Sequence, residues 1–242
     1  VTSVAESRKF AMNAPLLTCA EPILLVGGGD SPEAHLAPLL ARCATRAAAD
    51  GGAETLLRAG AVPDAVIGDL DSLSEGARAQ IPAERVHHIA EQDSTDFDKC
   101  LRNIAAPLVF GTGFLGPRVD HQLAALTVLT RRADRRCILV GEADAIALAP
   151  PQITLSLPVG LRFSLYPMGL VRGESTGLRW PLGGLDFTPA ERAGTSNETS
   201  AETVSLRVDA PLMLIILPVP QLPELARALL SAPDGWPARA PG

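Results

Sequence analysis

Three short acidic stretches, each set directly after a run that reads as a buried strand, constrain this chain more than any other feature. They are Ala49-Asp50-Gly51-Gly52-Ala53, Gly68-Asp69-Leu70-Asp71-Ser72 and Gln92-Asp93-Ser94-Thr95-Asp96-Phe97-Asp98-Lys99. Short apolar runs closed by turn residues suit strands covered on both faces of a parallel sheet. Each acidic stretch then falls at a strand's carboxyl end, the rim at which open α/β sheets bind ligands. Carboxylates gathered on one rim repel one another unless a cation neutralises them, and a divalent metal carrying a polyphosphate is the simplest partner that does so. Asp69 and Asp71 stand two apart, so on a persisting strand both point to one side, as two ligands of one cation would. Taken singly, each aspartate is equally a turn former or a helix cap. The set points to a metal.

The rest of the first half supplies the platform. Ile23–Val26 reads as a central strand ending in Gly27-Gly28-Gly29-Asp30, a tight loop that either cradles phosphate or simply turns the chain. It is neither a dinucleotide fingerprint nor a P-loop. Strands are expected over 47–49, 65–67, 85–89, 108–110 and 137–140, the last of the sheet. Helices are expected over 33–43 with Pro38 implying a kink or a later start, over 51–59 closed by Gly60, over 74–80, after an Asp93 or Ser94 cap, and over 119–131. In the capped helix Phe97, Leu101 and Ile104 form the buried stripe and Lys99 lies off it, either solvated or turned toward phosphate. His87 and His88 are adjacent on a strand, point to opposite faces and read as structural.

From Ile153 onward the pattern changes to short runs separated by Gly and Pro, at 153–157, 162–166, 204–208 and 212–217, with a short helix over 222–230. The expected fold is an α/β N-terminal domain with a mostly parallel sheet, followed by an all-β sandwich, jelly-roll-like C-terminal domain. The boundaries are 1–20 for a loose extension, 21–149 for the α/β domain, 150–231 for the sandwich and 232–242 for a mobile tail, with Pro150-Pro151 as linker.

With 242 residues and 47% apolar content the chain can bury a sizeable core, and a net charge of −6 offers no field for nucleic acid or an anionic membrane. Any phosphate is therefore held by local groups and metal. The four scattered cysteines form neither a zinc pattern nor a disulfide framework. The longest apolar run, Leu212–Leu217, is too short for a bilayer, and a cytoplasmic protein without a membrane partner is expected by elimination.

Ala-Asp-Gly-Gly-Ala, Gly-Asp-x-Asp-Ser and Gln-Asp-x-Thr-Asp-Phe-x-Lys, in this order and spacing, resemble the thiamine pyrophosphokinase family, and the resemblance runs from about residue 23 to about residue 217. Gly116-Pro117-Arg118-Val119-Asp120-His121 is similar to the family's nucleotide loop, with Pro117 in place of a glycine and Phe114-Leu115 varying the loop. Ser175–Leu182 and Gly194–Glu198 are similar to segments that form its thiamine pocket at a dimer interface. The resemblance implies Mg2+-dependent transfer of the pyrophosphoryl group of ATP to the hydroxyl of thiamine, releasing AMP, in a homodimer. It implies Asp69, Asp71 and Asp96 as metal ligands, with Asp50 and Asp93 nearby, Asp93 joining Asp71 and Asp96 in catalysis, and Asp71 or Asp96 accepting the hydroxyl proton. Gly28, Gly29, Asp50, Gly51, Lys99, Arg118 and Asp120 would seat the nucleotide. Gln92, Ser196, Asn197 and a stacking Trp180 from the partner subunit would hold thiamine. Read without the family, Arg118 either binds phosphate or pairs with Asp120, and Trp180 either stacks or fills a sandwich core. Another Mg2+-dependent pyrophosphokinase, a nucleotide phosphohydrolase or a non-catalytic nucleotide or thiamine sensor would use the same rim.

Overall fold

The computed structural model describes residues 14–238. Its first half alternates strands and helices: β1 (Leu17–Thr18), β2 (Ile23–Val26), α1 (Glu33–Arg42), β3 (Arg46–Ala49), α2 (Gly52–Arg58), β4 (Ala65–Gly68), α3 (Glu75–Arg78), β5 (Val86–His88), α4 (Asp96–Asn103), β6 (Ile104–Ala105), β7 (Val109–Thr112), α5 (Val119–Arg131) and β8 (Cys137–Val140). The second half is strand-rich: β9 (Asp144–Leu148), β10 (Gln152–Ser156), β11 (Arg162–Pro167), β12 (Val171–Thr176), β13 (Asp186–Phe187), β14 (Gly194–Glu198), β15 (Thr203–Val208), β16 (Met213–Pro218) and α6 (Leu222–Ser231).

Six strands run parallel in the order β8-β7-β2-β3-β4-β5. The chain lays β3, β4 and β5 to one side of β2 and then returns to place β7 and β8 on the other. That reversal leaves a crevice beyond the carboxyl ends of β2 and its neighbours. Strand alternation explains the apolar runs: Leu24 and Val26 join one buried cluster with α1 and α2, while Ile23 and Leu25 join another with α4 and α5. Ala47, Ala48 and Ala49 are buried at the sheet centre, where small side chains let helices close on both faces. Gly52 marks the tightest approach, since a Cβ there would stand 2.0 Å from the Val26 carbonyl oxygen.

The structure corrects the expectation that β8 ends the sheet. β9 turns back antiparallel to β8, and β16, β11 and β14 extend the same sheet to ten strands. Asp-Ala-Ile-Ala-Leu has a single β-branched residue, Ile146, among two alanines and an aspartate, so β9 shows little signal of its own. A second antiparallel sheet, β10-β15-β12-β13, covers the β11 and β16 region through Ile153, Leu155, Val204 and Leu206, buried in one cluster with Phe163, Leu165 and Ile215. The architecture is thus a mixed sheet with helices plus a strand-rich second layer.

Smaller differences follow from local bonding. Thr95, rather than Asp93 or Ser94, caps α4, its Oγ1 accepting from the Asp98 N–H at 3.3 Å. Leu17–Thr18 pairs with Ile104–Ala105, so the expected loose extension includes an ordered strand, while residues 1–13 lie outside the described residues. In the expected tail the Trp236 indole donates to the Ala149 carbonyl at 2.8 Å, and residues 239–242 are outside the description. Among the described residues no helix is long and apolar enough to cross a membrane.

Gly52→Ala forces a methyl group against backbone that cannot yield. It is expected to cost about 3 kcal/mol, lowering the melting temperature by roughly 6–12 °C. Gly76→Ala on α3, where a Cβ meets nothing within 4 Å, is expected to leave the melting temperature unchanged or slightly raised. Equal melting of the two variants by calorimetry would contradict the packing described.

Candidate active site

The crevice at the strand-order reversal has a volume of about 770 Å³ and is lined by the loops after β2, β3, β4 and β7, by α4 and by the start of α5. Two residues that are not glycine adopt left-handed backbone conformations in its acidic loops, Asp50 at φ 44° and Leu70 at φ 64°. Aspartate tolerates that region, whereas leucine does so only under constraint from its surroundings. Here Leu70 packs against the core.

Asp69 and Asp71 converge, but not by strand alternation. β4 stops at Gly68, the turn at Leu70 folds the chain back, and the Asp71 N–H donates to Asp69 Oδ1 at 3.4 Å. Asp50, Asp69 and Asp71 each bring a carboxylate oxygen to within 4.8 Å of the others. Oxygens sharing one divalent cation lie roughly 3–5 Å apart, so the three fit such an ion. Asp50 is 4% exposed. Its Oδ2 accepts from the Ser72 N–H at 3.1 Å, and its Oδ1 is buried with no partner among the described residues. Burial, with Asp71 and Asp96 close by, raises its pKa above the ordinary carboxylate value. A buried carboxylate oxygen without a donor is an open position for a cation.

Asp96 stands outside that trio. Its Oδ1 accepts from the Asp69 N–H at 3.3 Å and from Lys99 Nζ at 3.0 Å. Lys99 is 1% exposed and also reaches Asp69 Oδ2 at 3.4 Å. Burial opposes its charge, but Asp96 and Asp69 outweigh burial and raise its pKa. Burial likewise pushes Asp69 upward, yet the Asp71 N–H, the Gln92 amide at 3.2 Å and Lys99 hold it below the ordinary range. Lys99 therefore does not lie off the buried stripe: every residue from Phe97 to Leu101 is buried, and its ammonium is an internal counter-ion at the crevice wall.

Gly28, Gly29, Gly51, Gln92 and Arg118 line the crevice with Asp50, Asp69 and Asp96, whereas Asp71 and Asp120 are outside the lining. A Cβ on Gly29 would stand 2.7 Å from the Gly113 carbonyl oxygen, and one on Gly27 2.7 Å from the Phe114 ring, so the loops after β2 and β7 close with no room for side chains. Arg118 pairs with Asp120 at 2.7 Å, both about 66% exposed. Asp93 is exposed, lies apart from the lining, and its N–H donates to Glu91 Oε2 at 3.1 Å.

Trp180 and Asn197 line a separate pocket of about 200 Å³ in the strand-rich half, with exposed Ser196 beside it. Trp180 is 55% exposed, with the Arg179 guanidinium 4.9 Å from its ring centroid. Asn197 is buried. Its side-chain oxygen accepts from the Trp180 and Glu198 N–H groups, and its amide donates to the Trp180 carbonyl at 2.7 Å. Its side chain is committed to holding the tryptophan loop.

Sequence reasoning missed Glu54, Thr55 and Arg58, which line the crevice from α2, together with His121 and the Phe97–Phe114 pair at 4.4 Å between centroids. The spacing 51, 54, 55, 58 places the α2 residues on one helical face and was the available signal.

A family model described as thiamin pyrophosphokinase, catalytic domain, matches residues 36–140. Thiamine pyrophosphokinase 1 of Oryza sativa subsp. japonica is 29% identical over 217 residues, 75% of this chain and 82% of its own length. Thiamine pyrophosphokinase of Bacillus subtilis (strain 168) is 30% identical over 162 residues, 62% and 75% respectively. Among solved structures, thiamin pyrophosphokinase from Geobacillus thermodenitrificans superposes with a TM-score of 0.67 at 23% identity, covering 81% of this chain and 97% of its own. That from Candida albicans gives 0.69 at 15% identity, covering 84% and 94%. These likenesses are of fold.

Asp50→Asn is expected to raise the melting temperature of the metal-free protein by about 2–4 °C, near 1 kcal/mol, because it removes a buried charge with an unpartnered oxygen. Lys99→Met strips Asp69 and Asp96 of their counter-ion and is expected to cost about 2 kcal/mol. Asp69 is depressed in the fold, so its contribution is present above the unfolded carboxylate value of about 3.9 and is lost as pH falls through its lower folded value. Lys99 is raised, so its contribution is present below about 10.4 and is lost as pH rises through its folded value. Thermal melts across pH should therefore show both slopes in the wild type and shallower ones in Lys99→Met.

Proposed function

The chain belongs to the thiamine pyrophosphokinase family, and on that premise we propose that it transfers the pyrophosphoryl group of ATP to the hydroxyl of thiamine, giving thiamine diphosphate and AMP. The observation that supports this reading is the convergence of carboxylates from separate loops at one crevice, with a buried oxygen of Asp50 left open. Asp50, Asp69 and Asp71 would hold Mg2+, a modification of the Asp69, Asp71 and Asp96 set that the sequence implies. Bound there, Mg2+ supplies positive charge to the polyphosphate that the acidic rim would otherwise repel.

The chain's own residues do the positioning. Gly28, Gly29 and Gly51 expose backbone on which a nucleotide can lie closely, and Arg118 exchanges its exposed pairing with Asp120 for phosphate oxygens, a planar fork suited to either. Gln92, fixed by its bond to Asp69, faces the thiamine pyrimidine. Asp96 accepts the hydroxyl proton, since its Oδ2 carries no hydrogen bond among the described residues and Lys99 anchors the other oxygen. Phosphoryl chemistry of this kind depends on placing the attacking and leaving oxygens in line more than on bonding to the phosphorus.

Residues 21–149 would bind nucleotide and metal, and 150–231 would bind thiamine and dimerise. In a homodimer, Trp180 of the partner subunit would cover the thiamine, with Asn197 acting through the loop it holds and Ser196 at its edge. The free cysteines suit a reducing, cytoplasmic setting.

Incubation with ATP, Mg2+ and thiamine, followed by phosphorus-31 NMR, is expected to give AMP and thiamine diphosphate; ADP or inorganic phosphate as sole products would refute the reading. Asp71→Asn should lower kcat by about a thousandfold with an unchanged circular dichroism spectrum. Trp180→Ala should raise the KM for thiamine by about 2- to 30-fold, the range of a cation–π contact, with the KM for ATP unmoved.

A further inference from the structure

We propose that the Asp98–Arg132 ion pair is a positioning device that sets α4 against α5 and thereby places Asp96 and Lys99 at the crevice; the role of those two residues rests on the function proposed above. Asp98 is 3% exposed and sits between them in the first turn of α4. Both of its oxygens accept from Arg132, Oδ1 from Nε at 2.8 Å and Oδ2 from Nη2 at 2.7 Å. Arg132 is the residue that closes α5, and its side chain is 32% exposed. Neither Asp98 nor Arg132 lines the crevice.

Stability does not account for a charged pair at this place. Dehydrating a carboxylate is costly, and a well-packed apolar pair often serves a fold as well or better. The pair supplies direction instead. Two parallel N–H···O bonds fix rotation as well as distance, whereas the contacts of Phe97 and Leu101 along the same helix are apolar and non-directional, and the Cys100 thiol donates only weakly to the Ile67 and Ala48 carbonyls at 3.6 and 3.9 Å. A turn of about 15° around a helix axis moves a side-chain tip roughly 6 Å out by about 1.5 Å. Such a shift would break the 3.4 Å contact of Lys99 with Asp69 and the 3.3 Å bond from the Asp69 N–H to Asp96. The loop before α4 has its own fastening, Glu91 accepting from the Asp93 N–H, from Ser94 Oγ and from Arg102 Nη2. Those bonds tie the loop to α4 itself. Among the described residues, Asp98–Arg132 is the ion pair that ties α4 to the end of α5.

The test uses the full chain with Asp98→Leu/Arg132→Met together, and Asp98→Asn and Arg132→Lys singly. The double variant is expected to melt within about 5 °C of the wild type. Its kcat should nevertheless fall at least about tenfold with the thiamine KM within about twofold, and its affinity for Mn2+, read by electron paramagnetic resonance, should weaken at least about fivefold. Arg132→Lys keeps the charge without the fork and should fall between double variant and wild type. Wild-type kcat and Mn2+ affinity in the folded double variant overturn the proposal, as does a loss that merely follows melting temperature across the series. Should the double variant not fold, Asp98→Asn decides: losses with an intact fold support the pair's role, and unchanged values overturn it. If the wild type forms no thiamine diphosphate, the proposed function fails, while Mn2+ affinity across the variants still decides this inference.

Discussion

Lys99 lies buried with its ammonium 3.0 Å from Asp96 and 3.4 Å from Asp69, and the acidic rim is arranged around that charge. Without it, loops that end three different strands would bring like charges together at the carboxyl edge of the sheet. With it, and with the Asp71 N–H and the Gln92 amide as further donors, Asp69 is held below the ordinary carboxylate range against its burial, Asp96 has one oxygen fixed, and Asp50 and Asp71 complete the cluster. The ammonium neutralises only part of the set. Asp50 still has a raised pKa and a bare oxygen, so the site is held open toward further positive charge without collapsing on itself.

That arrangement depends on the sheet beneath it. The parallel order gives each acidic loop a buried strand to start from, and the reversal around β2 opens the crevice they face. The strand-rich half is not an appendage, because β9 and β16 carry the same hydrogen-bonded ladder onward to β11 and β14. The loop that Asn197 fixes to Trp180 is therefore built on a continuation of the platform that bears the aspartates.

How far the sequence was legible differs by element for physical reasons. Ile23–Val26, Val119–Arg131 and Cys137–Val140 could be read to the residue, since each has unbroken burial or a clear helical stripe and distinct ends. Ala47–Ala49 was readable only because small residues suit a crowded sheet centre and Asp50 needs a platform, and the strand starts one residue earlier, at Arg46. β9 and β14 were not, as Asp-Ala-Ile-Ala-Leu and Gly-Thr-Ser-Asn-Glu take their strand form from neighbouring strands and not from their own propensity. In the site, the gathering of Asp50, Asp69 and Asp71 was foreseeable from their positions after strands. The turn at Leu70 that achieves it was not, because leucine gives no hint of a left-handed backbone. Of the two readings left open for Lys99, the solvated one fails and the one turned toward the rim agrees with its place at the crevice wall. Its burial was not legible, because helical periodicity marks apolar residues and is silent about a lysine drawn inward by carboxylates.

Gly27 and Phe114 illustrate what such close fitting means for descent. The ring occupies the volume that any side chain at position 27 would need, and it leans on Phe97 across the crevice wall. The Gly113 carbonyl oxygen stands 2.7 Å from the same point, so a lineage that loses the ring is still bound to keep the glycine. The dependence between residues 87 positions apart therefore runs one way among descendants of this sequence: the ring can change under a fixed glycine, but the glycine cannot change under the ring.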